Sequence, residues 1–243
     1  MGRSLGVNGK ERALMREILG RRRKHSLQRK GQTAFLDAAL TYAERWQWRV
    51  VPGVGYDRRG SRRAAGAQQC ACGRPNCPVP GMHPVDPGLL AATRDPRMVR
   101  FWWTRGPDAP VVLATGDRVS AASLPTAAGV RAVEAMERQG VRLGPVVATP
   151  TRCLFLVAPY SLADLGEILD SQDWVPTSLR YHGEGGYVAL PPSSGGGQVR
   201  WVRPPQADDR GAGRGPWLPQ IGTLVDALVR AGRSAPDGDR LRF

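Results

Sequence analysis

CACGRPNCPVPGMHP, residues 70–84, holds three of the chain's four cysteines and one of its three histidines. Cys70, Cys72, Cys77 and His83 follow a C-x-C-x4-C-x5-H spacing. Thiolates and an imidazole are the donors zinc takes, and the Gly73-Arg74-Pro75 turn is where the loop folds back to let them converge. Four protein donors around one tetrahedral ion leave no position for water, so a site of this kind staples a loop and does not catalyse. Two other readings fit the same letters: three thiolates with a different fourth ligand, and a metal-free loop. Cys153 stands alone in an apolar strand and reads as a small buried hydrophobe.

Outward from this loop, 243 residues with 41% hydrophobic content suffice for one main core with extensions. No apolar run is long enough to span a bilayer, and MGRSLGVNGKERALMREILG lacks the apolar stretch of a secretory signal. The cytoplasm is therefore the expected compartment, where reduced thiols favour metal ligation over disulfides.

The formal net charge is +14, and it is unevenly spread. Residues 1–63 hold sixteen Lys and Arg against five Asp and Glu, and RRRKHSLQRK, residues 21–30, contains no acid. Such a stripe is an electrostatic footprint for a polyanion, nucleic acid above all. A solvated tail is the alternative, since Arg outnumbers Lys 32 to 3, a bias that a GC-rich genome also produces.

Periodicity predicts a basic helix over residues 9–24 and a second over Thr33–Trp46, with Phe35, Leu36, Ala39, Leu40, Ala43 and Trp46 on one face. WRVVPG reads as a short strand ending at Pro52. DPRMVRFWWTRGP reads as a helix presenting Met98, Phe101 and Trp102. VVLATG, PVVATP, RCLFLVAP, SLRYH, YVALPPS and VRWVRPP read as strands, interrupted by helices over AAGVRAVEAMERQG and SLADLGEILDSQ and followed by PQIGTLVDALVRAG. Neighbouring strands late in the chain make this an α+β sheet domain, not a regularly alternating parallel fold.

Five segments, in order, are ALTYAERWQWRVVPG, CACGRPNCPVPGMHP, DPRMVRFWWTRGPDAPVVLATG, LGPVVATPT and HGEGGYVALPPS. Together they resemble the bifunctional DNA primase/polymerase (prim-pol) N-terminal domain of the archaeo-eukaryotic primase superfamily, in the stand-alone form common in actinobacteria. The resemblance implies a mixed sheet with an RNA-recognition-like half and a zinc-stapled loop. It divides the chain into a basic extension (1–32), a prim-pol-like domain (33–230, zinc loop 66–88) and a polar tail (231–243). It also implies nucleotidyl transfer by two divalent metals, Mg2+ or Mn2+, which need carboxylate ligands.

The matching positions do not supply them. The family's first acidic pair falls on VSAASLP, with Ser120 and Ser123 in the acidic slots, and residues 118–133 contain no acid. The phosphate-contacting His falls on Cys153 or Leu154, and the third acid on Ser178 or Leu179. Asp117, His182 and Glu184 are the fallback candidates, the last two expected on a turn. The expectation is thus a catalytically degenerate primase-like module that keeps a nucleic-acid or nucleotide surface, with structural zinc, and with Mg2+ or Mn2+ only if active. The alternatives are an active enzyme with displaced ligands and a protein-interaction module.

Candidate phosphate-binding residues are Arg21, Arg22, Arg23, Lys24, Arg152, Arg180 and Arg200, with Arg203 close by, since guanidinium pairs bidentately with phosphate. A solvated outer face is the alternative reading of the strand arginines. Expected partners are single-stranded DNA and a helicase or other replication protein in trans. Trp102 and Trp103 are candidates for base stacking, or for a split between core and surface.

Overall fold

The computed structural model describes residues 34–57, 69–193, 198–207 and 215–233. The expected helix over residues 9–24 and the basic residues Arg21, Arg22, Arg23 and Lys24 lie outside them.

Helix α1 (residues 34–45) closes in a π-helical turn, Thr41–Arg45. It buries Ala39, Tyr42, Ala43 and the following Trp46. Strand β1 (Val50–Pro52) follows at a sheet edge, where Pro52, which has no N–H to donate, is tolerated. The cysteine loop leads through a 3-10 turn, Leu89–Ala91, to α2 (Pro96–Arg105). Asp95 caps α2 by accepting from the Arg97 N–H, and Pro96 occupies the first turn, where its missing donor costs nothing.

Then come β2 (Val111–Ala114), β3 (Ser120–Pro125), α3 (Thr126–Arg138), β4 (Val146–Ala148) and β5 (Arg152–Val157). Helix α4 (Leu162–Asp170) opens on a Ser161/Asp164 capping box. Strands β6 (Arg180–His182), β7 (Tyr187–Leu190) and β8 (Arg200–Arg203) and helix α5 (Ile221–Arg233) complete the described chain.

Two antiparallel sheets result, one ordered β1-β2-β7 and the other β6-β3-β5-β4-β8. Residues directly opposite in an antiparallel ladder share a face. Ser120, Ala122 and Leu124 of β3 therefore lie with Val157, Phe155 and Cys153 of β5. That face packs on α3 and α5 in a core that includes Ala128, Met136, Leu224 and Leu228. The opposite face, with Ala121 and Leu156, joins Val50, Leu113, Val188, α1 and α2 in a second core.

Two sequence expectations change. Helix α2 buries Val99 and Trp103, leaving Met98 and Phe101 exposed, because the Trp103 indole N–H reaches the Ala109 carbonyl (2.9 Å) and anchors that stripe inward. Phe101 instead lies under the Arg105 guanidinium, 4.1 Å from its ring centre. Trp102 is half-buried against the core. His182 is on strand β6, not on the turn, because it pairs with Ala121.

Gly129 on α3 faces Cys153, and a Cβ there would stand 2.1 Å from the Cys153 Cβ. Close approach of this helix to the sheet depends on it. Gly129→Ala is expected to destabilise the protein by about 1–3 kcal/mol, read in a denaturant melt, with the α/β content of the residual fold unchanged.

Candidate functional site

A cavity of about 810 Å³ opens where the cysteine loop meets the inner faces of the two sheets. Its wall from the loop side is Pro78, Val79, Pro80 and Met82 with Tyr56. Its floor is Arg152 and Leu154 of β5, Arg180 and His182 of β6, and Tyr187, Val188 and Ala189 of β7. Thr149, Thr151, Thr177 and Ser178, with Gly185 and Gly186 of the β6–β7 turn, complete the lining. No Asp or Glu is among these described residues.

The floor is organised by Arg152. Its Nη2 donates to the Ser123 carbonyl (2.8 Å) and the Ser178 carbonyl (2.6 Å), and its Nε donates to the Ser123 Oγ (2.9 Å). Guanidinium can only donate, so the Ser123 hydroxyl accepts from Arg152, and the same oxygen lies 3.0 Å from His182 Nε2, within hydrogen-bond reach. Burial first, then the positive charges of Arg152 and Arg180, push the His182 pKa down to about 4, against a backbone hydrogen bond to Tyr187 that acts the other way. Ser123 itself is fully buried beneath the floor.

The expected site residues divide by strand face. Ser123, Arg180 and His182 lie on the cavity face of β3 and β6. Ser120 and Cys153 lie on the opposite face, toward α3 and α5, so the acidic slot expected at Ser120 and the His slot expected at Cys153 do not reach the cavity. By strand alternation the cavity-side pair on β3 is Ala121 and Ser123, and the residues of β5 that line the cavity are Arg152 and Leu154. Burial pushes the Cys153 thiol up to about 11, as befits an inert core residue. Ser178 lines the cavity, and its buried Oγ has no hydrogen-bond partner.

Asp117 is drawn away from the cavity into ion pairs with Arg49 (3.0 Å) and Arg94 (3.5 Å) at the surface. Glu184 sits against Gly116, whose φ of +105° and the 2.3 Å that would separate a Cβ from the Glu184 Cα admit no side chain. Thr115 completes this junction by donating from N to the Gly186 carbonyl and from Oγ1 to the Gly183 carbonyl. Gly185, in the β6–β7 turn, has a φ of +73°, a conformation that glycine adopts without strain. Arg200 lies exposed on β8, and Arg203 pairs with Glu137.

The four donors of Cys70, Cys72, Cys77 and His83 lie within 4.8 Å of one another. Cys70 Sγ and Cys77 Sγ are each 3.3 Å from His83 Nε2, the nitrogen presented to the centre, while Nδ1 lies 3.2 Å from the Pro84 carbonyl. This is the arrangement by which a ligating histidine is held in one tautomer, and the group is able to hold a metal such as zinc. A backbone hydrogen bond at Arg74 lowers the Cys72 thiol to about 7, toward the thiolate a metal needs. Gly81 has φ +71°, and a Cβ on it would press into the Tyr56 ring at 2.6 Å. The Tyr56 hydroxyl then donates to the Pro80 carbonyl (3.0 Å), fixing the loop as the cavity wall.

Residues 39–217 match the family model described as bifunctional DNA primase/polymerase, N-terminal. The match spans most of the chain, which therefore belongs to the prim-pol family. No curated protein and no solved structure matches the chain. Among the described residues no helix is long and apolar enough to cross a membrane.

Two outcomes are expected. Purified protein should contain about one zinc per chain, and Cys72→Ser should lower both metal content and melting temperature; metal-free protein of undiminished stability would contradict this. Because the His182 pKa is depressed from 6.5 to about 4, the unfolded chain binds a proton between these values that the folded chain does not. Stability tied to neutral His182 is complete above pH 6.5 and falls by about 3 kcal/mol as pH drops toward 4, a slope that His182→Gln should flatten in urea melts.

Proposed function

We propose that this prim-pol domain is catalytically degenerate and acts as a module binding nucleic acid or nucleotide, with single-stranded DNA the preferred polyanion. The observation that carries the reading is the floor of the cavity, where Arg152, Arg180 and His182 stand and no carboxylate lines the described wall. Two-metal transfer needs hard oxygen ligands to hold Mg2+ or Mn2+ against the triphosphate. A floor of two guanidiniums and a neutral imidazole repels such ions. It attracts phosphate.

The overall charge of +14 supports a polyanionic partner, and the basic residues of the N-terminal segment, Arg21, Arg22, Arg23 and Lys24, are assigned to its backbone. Arg152, Arg180 and Arg200 are assigned to phosphate. The Cys70, Cys72, Cys77 and His83 group holds a structural zinc, in keeping with a cytoplasmic protein whose thiols stay reduced. A helicase or another replication protein in trans would supply the steps this module lacks.

Primer extension and de novo priming on single-stranded DNA with Mn2+ or Mg2+, alongside salt-titrated binding, test the reading. No incorporation is expected, with affinity that falls steeply with salt and a slope reduced by deletion of residues 1–30. Incorporation abolished by Asp117→Ala or Glu184→Ala would show an active enzyme with displaced ligands. Absence of both incorporation and binding would favour a protein partner.

A further inference from the structure

Helix α2 turns an apolar stripe to solvent. Met98 (40% exposed) and Phe101 (45%) stand one turn apart on its outer face, opposite the Val99 and Trp103 that anchor it. Arg97 and Arg105 lie four residues before and four after Phe101, and residues 94–105 carry four arginines against one acid, Asp95. Two of the four are engaged within the chain, Arg94 with Asp117 and Arg100 with Glu44. Arg105 covers the Phe101 ring at 4.1 Å, so that face of the ring is not open to stack on a base. An apolar stripe rimmed by guanidiniums is a docking face, and its charge calls for an acidic protein surface.

The chain carries such a surface on its other side. Residues 161–174, which span α4, hold Asp164, Glu167, Asp170 and Asp173 and no Lys or Arg. Asp164 is engaged in the capping box, while Glu167 and Asp170 lie exposed one turn apart beside Ala163 and Gly166. A Cβ added to Gly166 would meet nothing within 4 Å, so the middle of this face is low and open. Leu162 (84% exposed) at its start and Trp174 (50%) beyond its end are the apolar flanks. A helix rises about 12 Å from Leu162 to Asp170 and about 10 Å from Met98 to Arg105, so the two faces match in length as well as in charge.

These two helices cannot meet within one molecule. Helix α2 packs through Val99 and Trp103 into the core on the Ala121 and Leu156 face of the five-stranded sheet. Helix α4 packs through Leu165 into the core on the Ala122 and Phe155 face. We propose that α2 of one copy docks on α4 of a second copy, with Met98 and Phe101 against Ala163 and Gly166, and Arg97 and Arg105 against Glu167 and Asp170. The contact is head-to-tail: each added copy leaves one α2 and one α4 exposed at the ends, so assembly passes beyond a dimer. Helices of ten and nine residues bury less than the roughly 1,200 Å² of stable complexes, so the contact is weak and salt-sensitive. The chain's own N-terminal segment does not suit α2, since residues 1–33 hold ten Lys and Arg against two acids. This assembly is independent of what the cavity binds.

Analytical ultracentrifugation of the zinc-replete full chain from about 5 to 300 μM, at low and high salt, tests it. The weight-average mass should climb with concentration past that of a dimer at about 50 mM salt and return toward the monomer at about 500 mM. Phe101→Glu, and separately Glu167→Arg with Asp170→Arg, should each weaken association about tenfold or more. All three positions are exposed, and melting temperatures verify that the variants fold. Mixing the two variants should restore association, since each keeps the half that the other lacks. A chain without residues 1–30 should still associate, because both faces lie outside that segment. Monomer at every concentration, association indifferent to either variant, or a mixture that stays monomeric would each overturn the proposal. Loss of association on deleting residues 1–30 would overturn it too, and would make the basic segment of a neighbour the occupant of α4. Phe101→Glu that weakens single-stranded DNA binding and leaves association intact would assign α2 to nucleic acid instead.

Discussion

Arg152 lies across the seam where β3, β5 and the segment entering β6 come together, and its guanidinium ties two of them to the third through the Ser123 and Ser178 carbonyls. A half-buried cation is costly to desolvate, and several well-aligned hydrogen bonds help to make it tolerable. This constraint explains its surroundings. Ser123 must offer Oγ as an acceptor, and His182 beside it is held neutral by burial and by two positive charges. A carboxylate at Ser123 would pair with Arg152 and turn a phosphate-attracting floor into a neutral one.

The cysteine loop acts on the same place from the other side. Its four donors close a small ring, and the segment between Cys77 and His83 faces the cavity as Pro78, Val79, Pro80 and Met82. Gly81 allows Tyr56 to pack flat against that segment, and the Tyr56 hydroxyl locks it at Pro80. A loop of prolines and glycines has little secondary structure to hold it, so metal ligation is the natural substitute. A metal held by these four donors would be structural, and its loss would open the cavity wall.

Much of this was legible in the sequence. The α+β class, most strands and the four donors follow from periodicity and spacing, because alternation and ligand type survive without knowledge of tertiary contacts. Strand β3 was different: SAASLP lacks the β-branched and aromatic residues that announce a strand, and only the family resemblance located it. Its small side chains suit a strand covered on both faces. The face assignment also escaped the sequence, since Ser120 and Ser123 look alike as letters but differ by an odd number of residues and so point to opposite sides. For the same reason Cys153 turned from the cavity toward Gly129, while Arg152, for which a solvated face was the alternative reading, became the floor. His182, the last letter of the stretch SLRYH read as a strand, was also expected on the turn that follows, and its register with Ala121 puts it on the strand.

The central claim is that this cavity handles phosphate without a divalent ion. Titration of the zinc-loaded protein with Mn2+, followed by the electron paramagnetic resonance signal of the free ion with dATP absent, addresses it most directly. The predicted result is an undiminished free-ion signal through the micromolar range, with no stoichiometric binding. One tightly bound Mn2+ per chain, released by substitution of a cavity residue such as His182→Ala, would contradict it.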